Sequence, residues 1–455
     1  MHRSLSTLVT ALLIAVPAIL GAAEAPSSRP NIIVVIADDL GWGHVGWQNP
    51  KVRTPHLDQL ANAGVKLNRH YVAPVCSPTR VALVTGRYWS RFGCNDALPS
   101  EPDSKVAAMR PGTETIAMSL KAAGYRTALV GKWHLGASPA AGPEKSGFDH
   151  FYGLRVGGMT PLTHKWLGLG ESVLWRNGQA IDEEGHVTDL LAREAVQWIG
   201  ASEDSRPFFL YLSFTSPHVP LQEPQRWMDI YQDSAPDTAH QLYWASISHL
   251  DDAVGRVMAE VERIGQRDNT LVIFLSDNGA PGQPNRMQVK ADHDAYLDVK
   301  LPGDNPPLRG KKGDVYEGGI RTPAFAFWPG RLQPGTCDAP IHVTDWMPTL
   351  CALVGHPPAQ DLKRDGRNVW PIIQGVKEST APRPIYTKGG RYSALHLGDW
   401  KLIHGRSGTE LYHITEDESE TRNRAAENPR IVRQMRDMME AEAASDNDAR
   451  PAANP

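Results

Sequence analysis

The sequence predicts an α/β fold, a large mostly parallel sheet sandwiched by helices with a smaller C-terminal α+β subdomain. Three observations predict it. Four short apolar runs rich in β-branched and aromatic residues read as strands buried on both faces of a parallel sheet. Helical patterns separate those runs, and strands that alternate with helices build a sheet covered on both sides. After about residue 375 the pattern changes to short, half-polar strands followed by one charged helix, which is the size and texture of a small second unit.

The clearest strand is 31–37 (NIIVVIA), followed along the chain by 125–130 (YRTALV, with Arg126 its one charge), 208–214 (FFLYLSF) and 271–275 (LVIFL). Between them, apolar residues recur at three- and four-residue spacing over 56–66, 115–123, 188–199 and 242–264. That spacing gives a helix one apolar stripe to lay on the sheet. A helix-like 343–354 and a turn-rich 355–366 lead to strands at 392–397 and 400–404, a charged helix at 429–444 and a short low-complexity tail, 446–455. The expected division is a catalytic domain at residues 29–375 and the C-terminal subdomain with its tail at 376–455, since 455 residues are too many for a single small core.

The chain starts with His2 and Arg3, runs apolar from Leu8 to Leu20 with a break at Pro17, and then reads Ala23-Glu24-Ala25. This is the form of a secretory signal peptide, residues 1–25, and the run is too short for a membrane span of ~20 residues. No second long apolar run follows, so the mature protein is expected to be periplasmic or secreted, without a membrane span. A formal net charge of −4 provides no basic field for a polyanion, which argues against nucleic acid as a partner. Four cysteines, Cys76, Cys94, Cys337 and Cys351, are too few for a disulfide-built scaffold.

Ligands of open parallel sheets bind beyond the carboxyl ends of the strands. All four predicted strands end in reactive side chains: Asp38 and Asp39 after the first, Lys132 and His134 after the second, His218 after the third, Asp277 and Asn278 after the fourth. Taken singly, Asp-Asp-x-Gly or Asp-Asn-Gly is ordinary turn chemistry. Four such ends on one edge point to a site. Asp38, Asp39, Asp277 and Asn278 present only oxygen donors, which suit a hard cation, and an all-protein oxygen cage suits calcium better than magnesium. Three carboxylates brought together are also expected to repel one another without such an ion.

The segment Cys76-Ser77-Pro78-Thr79-Arg80 runs into Val81-Ala82-Leu83-Val84-Thr85-Gly86-Arg87. Pro78 fits the first turn of a helix, whose free N–H groups favour an anion, and Arg80 adds a fixed cationic fork. On the residues alone, Cys76 could be a buried cysteine beside a helix start or a thiolate nucleophile with its pKa lowered there. Here the chain resembles the type I sulfatases of the alkaline phosphatase superfamily, whose C-x-P-x-R motif directs oxidation of its cysteine to formylglycine. The resemblance continues through Asp38-Asp39, Gly131-Lys132-Trp133-His134-Leu135-Gly136, Ser216-Pro217-His218, Ser276-Asp277-Asn278-Gly279, Leu308-Arg309-Gly310-Lys311-Lys312-Gly313 and Tyr316-Glu317-Gly318-Gly319. Val52-Arg53-Thr54-Pro55-His56-Leu57-Asp58 is similar to sulfatases acting on sulfated galactosamine residues.

The resemblance implies a sulfuric ester hydrolase of the arylsulfatase-like kind, acting on a sulfated saccharide or aryl sulfate and matured by a formylglycine-generating enzyme. It implies that formylglycine formed from Cys76 is hydrated to a diol that attacks sulfur, and that one Ca2+ is held by Asp38, Asp39, Asp277, Asn278 and residue 76. Arg80 and Lys132 would hold the diol, His218 and Lys312 would contact the ester, one of the two protonating the leaving oxygen, and His134 would take the proton that releases sulfate. With 17 histidines in the chain most are structural, and His44, His70, His164 and His293 are assigned to that group. Two other functions compete: a phosphonate or phosphate ester hydrolase of the same superfamily, and a sulfated-glycan binding protein that is never matured. Loops 155–170 and 282–307 are expected to shape specificity.

Overall fold

The computed structural model describes residues 29–166, 170–201, 205–285, 299–357, 364–376, 382–406 and 408–451. The expected signal peptide, His293 and parts of the loops 155–170 and 282–307 lie outside them.

Ten strands form one sheet. From edge to edge the order is Gly335–Cys337, Val65–Leu67, Ala324–Phe327, Thr270–Ser276, Asn31–Ala37, Phe208–Ser213, Arg126–Lys132, His150–Leu154, Trp175–Arg176 and Gln179–Ala180. The five strands from Thr270–Ser276 to His150–Leu154 in this order run parallel. Antiparallel neighbours close in on either side. The four strands anticipated from apolar runs are the four adjacent ones at the centre, and apart from Arg126 every residue in them is buried. Their register is level, with Ala37 opposite Ser276, Ile36 opposite Ser213, and Gly131 also opposite Ser213. Chain segments more than a hundred residues apart therefore stop at the same edge.

Burial on two faces follows from the alternation of side chains along a strand. Ile32, Val34 and Ile36 enter one core, Ile33, Val35 and Ala37 the other. Helices Pro55–Ala63, Val187–Gly200 and Thr238–Arg263 cover the second core, and Cys76–Thr85, Ile116–Ala122 and Trp346–Leu353 cover the first.

Several boundaries differ from the sequence pattern. The helix expected over 56–66 stops at Ala63, and 65–67 forms a strand instead, because Val65 and Lys66 pair with Ala326 and Phe325 from a distant segment. Gly64 allows the switch, since a Cβ there would lie 2.3 Å from the Ala326 carbonyl oxygen. The helix expected from Leu242 begins at Thr238, one turn earlier, where the Asp237 carboxylate accepts from the His240 N–H at 2.8 Å. The second central strand extends to Lys132, so that lysine is the last strand residue and not a loop residue.

The C-terminal region is a four-stranded antiparallel sheet, Pro384–Lys388, Tyr392–Leu397, Trp400–Gly405 and Gly408–His413, followed by helix Pro429–Ala443. Tyr386, Leu395, Leu402, Leu411, Met435 and Met439 join the same apolar cluster as one face of the large sheet. The segment read as a low-complexity tail docks in part. Asn447 and Ala449 donate backbone N–H bonds to Ser90 and Arg91, and Arg87 grips Asp448 at 2.7 Å. No helix among the described residues is long and apolar enough to cross a membrane.

Candidate active site

The level strand ends bring the predicted residues together. Asp38 and Asp39 leave Asn31–Ala37, Asp277 and Asn278 leave Thr270–Ser276, and all four are fully buried. The backbone N–H of Asp39 donates to Asp277 Oδ1 at 3.1 Å, and Asn278 Nδ2 donates to Asp39 Oδ1 at 2.7 Å. Asp39 itself adopts φ 68° and His134 φ 55°. Left-handed non-glycine residues cost on the order of 1 kcal/mol or more, and they persist where surrounding contacts dictate them.

Cys76 is the first residue of helix Cys76–Thr85, buried among these groups. Thr79, one residue before Arg80, ties the helix to the sheet edge: its hydroxyl donates to the Asp277 carbonyl at 2.7 Å and accepts from the Ala73 N–H at 2.9 Å. Arg80 is completely buried and spreads its fork over three partners. Its Nε and one terminal nitrogen donate to Asp277 Oδ2 at 3.1 and 2.8 Å, and the other terminal nitrogen to Ser213 Oγ at 2.6 Å and the Lys132 carbonyl at 2.9 Å.

Each carboxylate has its own cation. Lys132 Nζ reaches Asp38 Oδ2 at 2.5 Å, Lys312 Nζ reaches Asp39 Oδ1 at 2.7 Å, and Arg80 reaches Asp277 at 2.8 Å. Burial pushes the Asp38 and Asp39 carboxyls up, but Lys132 and His218 around the first and Lys312 and His218 around the second outweigh it, and both lie below the usual range. Burial and the Asp38 charge win at Asp277, which is raised. The repulsion expected among three bare carboxylates is thus offset by cations at Asp38 and Asp39, which corrects the sequence reading for those two, and is still felt at Asp277. The case for a metal rests on other atoms. Among the described residues, Asp38 Oδ1 and Asn278 Oδ1 are buried without a hydrogen-bond partner, and unpaired buried acceptors are costly. Oxygens of Asp38 and Asp39 and a ring nitrogen of His218 also lie within 4.8 Å of one another. An oxygen-rich donor set with two free acceptors fits a hard divalent cation.

His134 Nδ1 lies 3.3 Å from Cys76 Sγ. Its Nε2 lies 3.1 Å from the Leu98 carbonyl, an acceptor only, so Nε2 carries the hydrogen and Nδ1 turns a lone pair to residue 76. Burial, then Lys132 and Arg80, hold its pKa well below the ordinary histidine value, so the ring is neutral. His218 Nε2 stands 3.8 Å from Asp39 Oδ2, with Nδ1 bonded to the Val219 carbonyl at 2.6 Å. Burial lowers its pKa. Lys312 goes the other way: burial opposes its charge, but Asp39 outweighs burial and keeps it protonated. Burial raises the Cys76 thiol above its usual pKa despite Lys132 and Lys312. That environment does not make a thiolate.

A family model described as Sulfatase matches residues 30–356, most of the chain. The chain belongs to the sulfatase family. It is 33% identical over 420 residues to arylsulfatase J of Mus musculus, covering 85% of this chain and 66% of that protein. It is 31% identical over 402 residues to N-acetylgalactosamine-6-sulfatase of Homo sapiens, covering 84% and 72%. The crystal structure of Ps i-CgsB in complex with k-i-k-neocarrahexaose superposes with a TM-score of 0.83 at 30% identity, covering 92% of this chain and 94% of that one. The resemblance drawn from the motif at Cys76 and the α/β fold class are both borne out.

All ten predicted residues of this sulfatase, Asp38, Asp39, Cys76, Arg80, Lys132, His134, His218, Asp277, Asn278 and Lys312, come together at the sheet edge. Three participants were missed. The Leu98 carbonyl that sets the His134 tautomer carries no side-chain signal at all. Ser100 Oγ, 3.4 Å from His134 Nε2, and Ser213 Oγ, the partner of Arg80, are common residues outside any motif. Only the position of Ser213, one residue before the end of the strand predicted over 208–214, could have marked it. Of the four histidines assigned to structure, His44 hydrogen-bonds the Asp304 carbonyl, His70 accepts from Trp346 and His164 meets the Gly185 carbonyl.

Proposed function

We propose that the protein is an exported sulfuric ester hydrolase that removes sulfate from a sulfated saccharide or an aryl sulfate, using formylglycine made from Cys76 and one calcium ion. The observation that carries it is the placement of residue 76 at a helix start, its Sγ 3.3 Å from a neutral histidine, at the sheet edge where each of three carboxylates has its own cation. A thiol with a raised pKa is a poor nucleophile there, which favours an oxidised side chain over a thiolate. The family's names support the substrate class: one relative acts on N-acetylgalactosamine-6-sulfate by its name, and one similar structure holds an oligosaccharide.

Asp38, Asp39, Asp277 and Asn278, with residue 76, would hold the calcium. When bound, the ion supplies positive charge against sulfate oxygens and acidifies the attacking hydroxyl. Hydrated formylglycine supplies two hydroxyls on one carbon, one to attack sulfur and one whose deprotonation releases sulfate. Because the protein's own charges at the site stand in pairs, a bound dication would be balanced by the ester monoanion together with the ionised hydroxyl. Arg80 anchors Asp277 and the strand ends, and Lys132 orients Asp38 beside residue 76. His134 accepts the proton of the second hydroxyl at Nδ1, the nitrogen that Leu98 leaves free. Lys312 and His218 contact the ester, and Lys312, held protonated by Asp39, is the donor to the leaving oxygen.

The remaining assignments complete the proposal: a signal peptide at 1–25 and a periplasmic or secreted location, a catalytic domain at 29–375, a C-terminal subdomain at 376–455, and a formylglycine-generating enzyme as maturation partner. Paired aryl sulfate and aryl phosphate substrates test the reaction, with sulfate ester expected to be the faster. A much faster phosphoester reaction would favour the phosphonate or phosphate ester hydrolase instead. Mass spectrometry of the Cys76 peptide from exported protein tests maturation, and an unmodified thiol there would favour the glycan binder.

A further inference from the structure

We infer that Lys401 and Glu317 are positioning residues that act through Lys312, so that the C-terminal sheet is part of what aims the active site. The inference rests on the role proposed for Lys312 above.

Lys401 stands in the third strand of the C-terminal sheet and is completely buried. Its ammonium lies 3.0 Å from Glu317 Oε1 and 2.8 Å from Glu420 Oε1. Glu317 is equally buried and collects more donors: His396 Nε2 at 2.9 Å and the Tyr71 hydroxyl at 3.0 Å. The Glu317 backbone N–H donates to Glu420 Oε2 at 2.7 Å. An ionised cluster this far from water holds one geometry, since displacing either partner strands a charge. Burial pushes Glu317 up, but Lys401 and His396 outweigh it and keep it ionised, while His396 itself is neutral, pulled down to about 4 by burial.

What Glu317 fastens is the loop that carries Lys312. The Gly318 N–H donates to the Arg309 carbonyl at 2.7 Å, and the Gly319 carbonyl accepts from the Gly279 N–H at 3.1 Å, next to Asn278. Lys312 N–H reaches the Ala280 carbonyl at 3.0 Å, and Gly313 N–H reaches the Pro74 carbonyl at 2.8 Å, two residues before Cys76. The winding leaves no slack, because a Cβ at Gly319 would lie 2.1 Å from the Asp314 carbonyl oxygen. Tyr71, five residues before Cys76, donates to the same carboxylate. Glu317 is therefore the knot between the Lys312 loop, the approach to Cys76 and the C-terminal sheet. A displacement of the order of 1 Å at a reacting group can cost ~100-fold in rate.

The test uses the full, matured chain. Tyr71→Phe and Lys401→Met are made singly and combined with Lys312→Ala, and kcat/KM for an aryl sulfate is normalised to the formylglycine measured by peptide mass. Each substitution alone is expected to lower kcat/KM about tenfold or more, and to change it by less than about twofold once Lys312 is gone, as residues acting through one another do. Affinity for inorganic sulfate, read by calorimetry, is expected to weaken in the same non-additive way. Equal losses with and without Lys312, or a lowered Tm with unchanged kcat/KM, overturn the inference. Should Lys401→Met not fold, Tyr71→Phe, which deletes one hydroxyl, decides. Should the wild type cleave no sulfate ester, the reaction proposal fails and the sulfate affinities decide the positioning by themselves.

Discussion

Replacing Lys132 with methionine removes one charge from the site and keeps most of its volume. Lys132 Nζ and Asp38 Oδ2 are 2.5 Å apart with both side chains fully buried, and Arg80 is the next cation, 3.8 Å from the same oxygen. At an effective dielectric constant of about 20 the first pair attracts by roughly 7 kcal/mol and the second by roughly 4 kcal/mol. Removing one partner of a buried pair costs about 3–5 kcal/mol, and the attraction that Arg80 retains puts this case near 3 kcal/mol. With about 2 °C lost per kcal/mol for a large domain, Tm is expected to fall about 6 °C when measured in a chelator. In saturating calcium the ion compensates Asp38 instead, and the fall should shrink to less than half. Differential scanning calorimetry of wild type and Lys132→Met in both buffers reads the comparison. Equal falls in the two buffers, or none in chelator, would refute the placing of calcium at Asp38.

Three further outcomes are expected. Cys76→Ala should abolish sulfate ester turnover while Tm stays close to wild type, because the residue is assigned chemistry and not packing; measurable turnover by the purified variant contradicts the nucleophile. Chelation should lower both activity and Tm, since an ion present at 100 times its Kd adds about 2.7 kcal/mol to the folded state; unchanged values in a calorimeter and an aryl sulfate assay count against the cage. The third concerns pH. His249 lies between Glu223, 2.8 Å from Nδ1, and Asp189, 3.2 Å from Nε2, and although burial opposes its charge these carboxylates raise its pKa above 6.5. A raised pKa means stability that is complete below the unfolded value and lost as pH rises through the folded one. Tm should therefore decline as pH rises above about 6.5 in wild type and less steeply in His249→Gln; parallel curves exclude the pair as the cause.

The four central strands could be read from sequence because a strand buried on both faces must be apolar at every position, as 31–37 and 271–275 are. The outer strands could not. Val65–Leu67 is three residues long, and its conformation follows from pairing with Ala324–Phe327, a partner no local pattern reveals. The chemistry was legible for a different reason: four apolar runs that all end in carboxylates, lysines or histidines exceed what turn chemistry explains, and Cys76 with Pro78 and Arg80 forms a motif. What lay beyond such reading were partners without distinctive side chains, such as the Leu98 carbonyl, and the burial that turns Cys76 away from thiolate chemistry.

The order of residues along the chain was enough to determine the four central strands, most of the helices between them and which side chains stand at the strand ends, because hydrophobic period and turn chemistry are local properties. Only the tertiary structure decided that Lys132 answers Asp38, Lys312 answers Asp39 and Arg80 answers Asp277, and that Lys401 reaches Glu317 across 84 residues of chain. Those pairings depend on strand order, register and the exclusion of water, and charges exert their full effect on one another only once folding has removed the solvent between them.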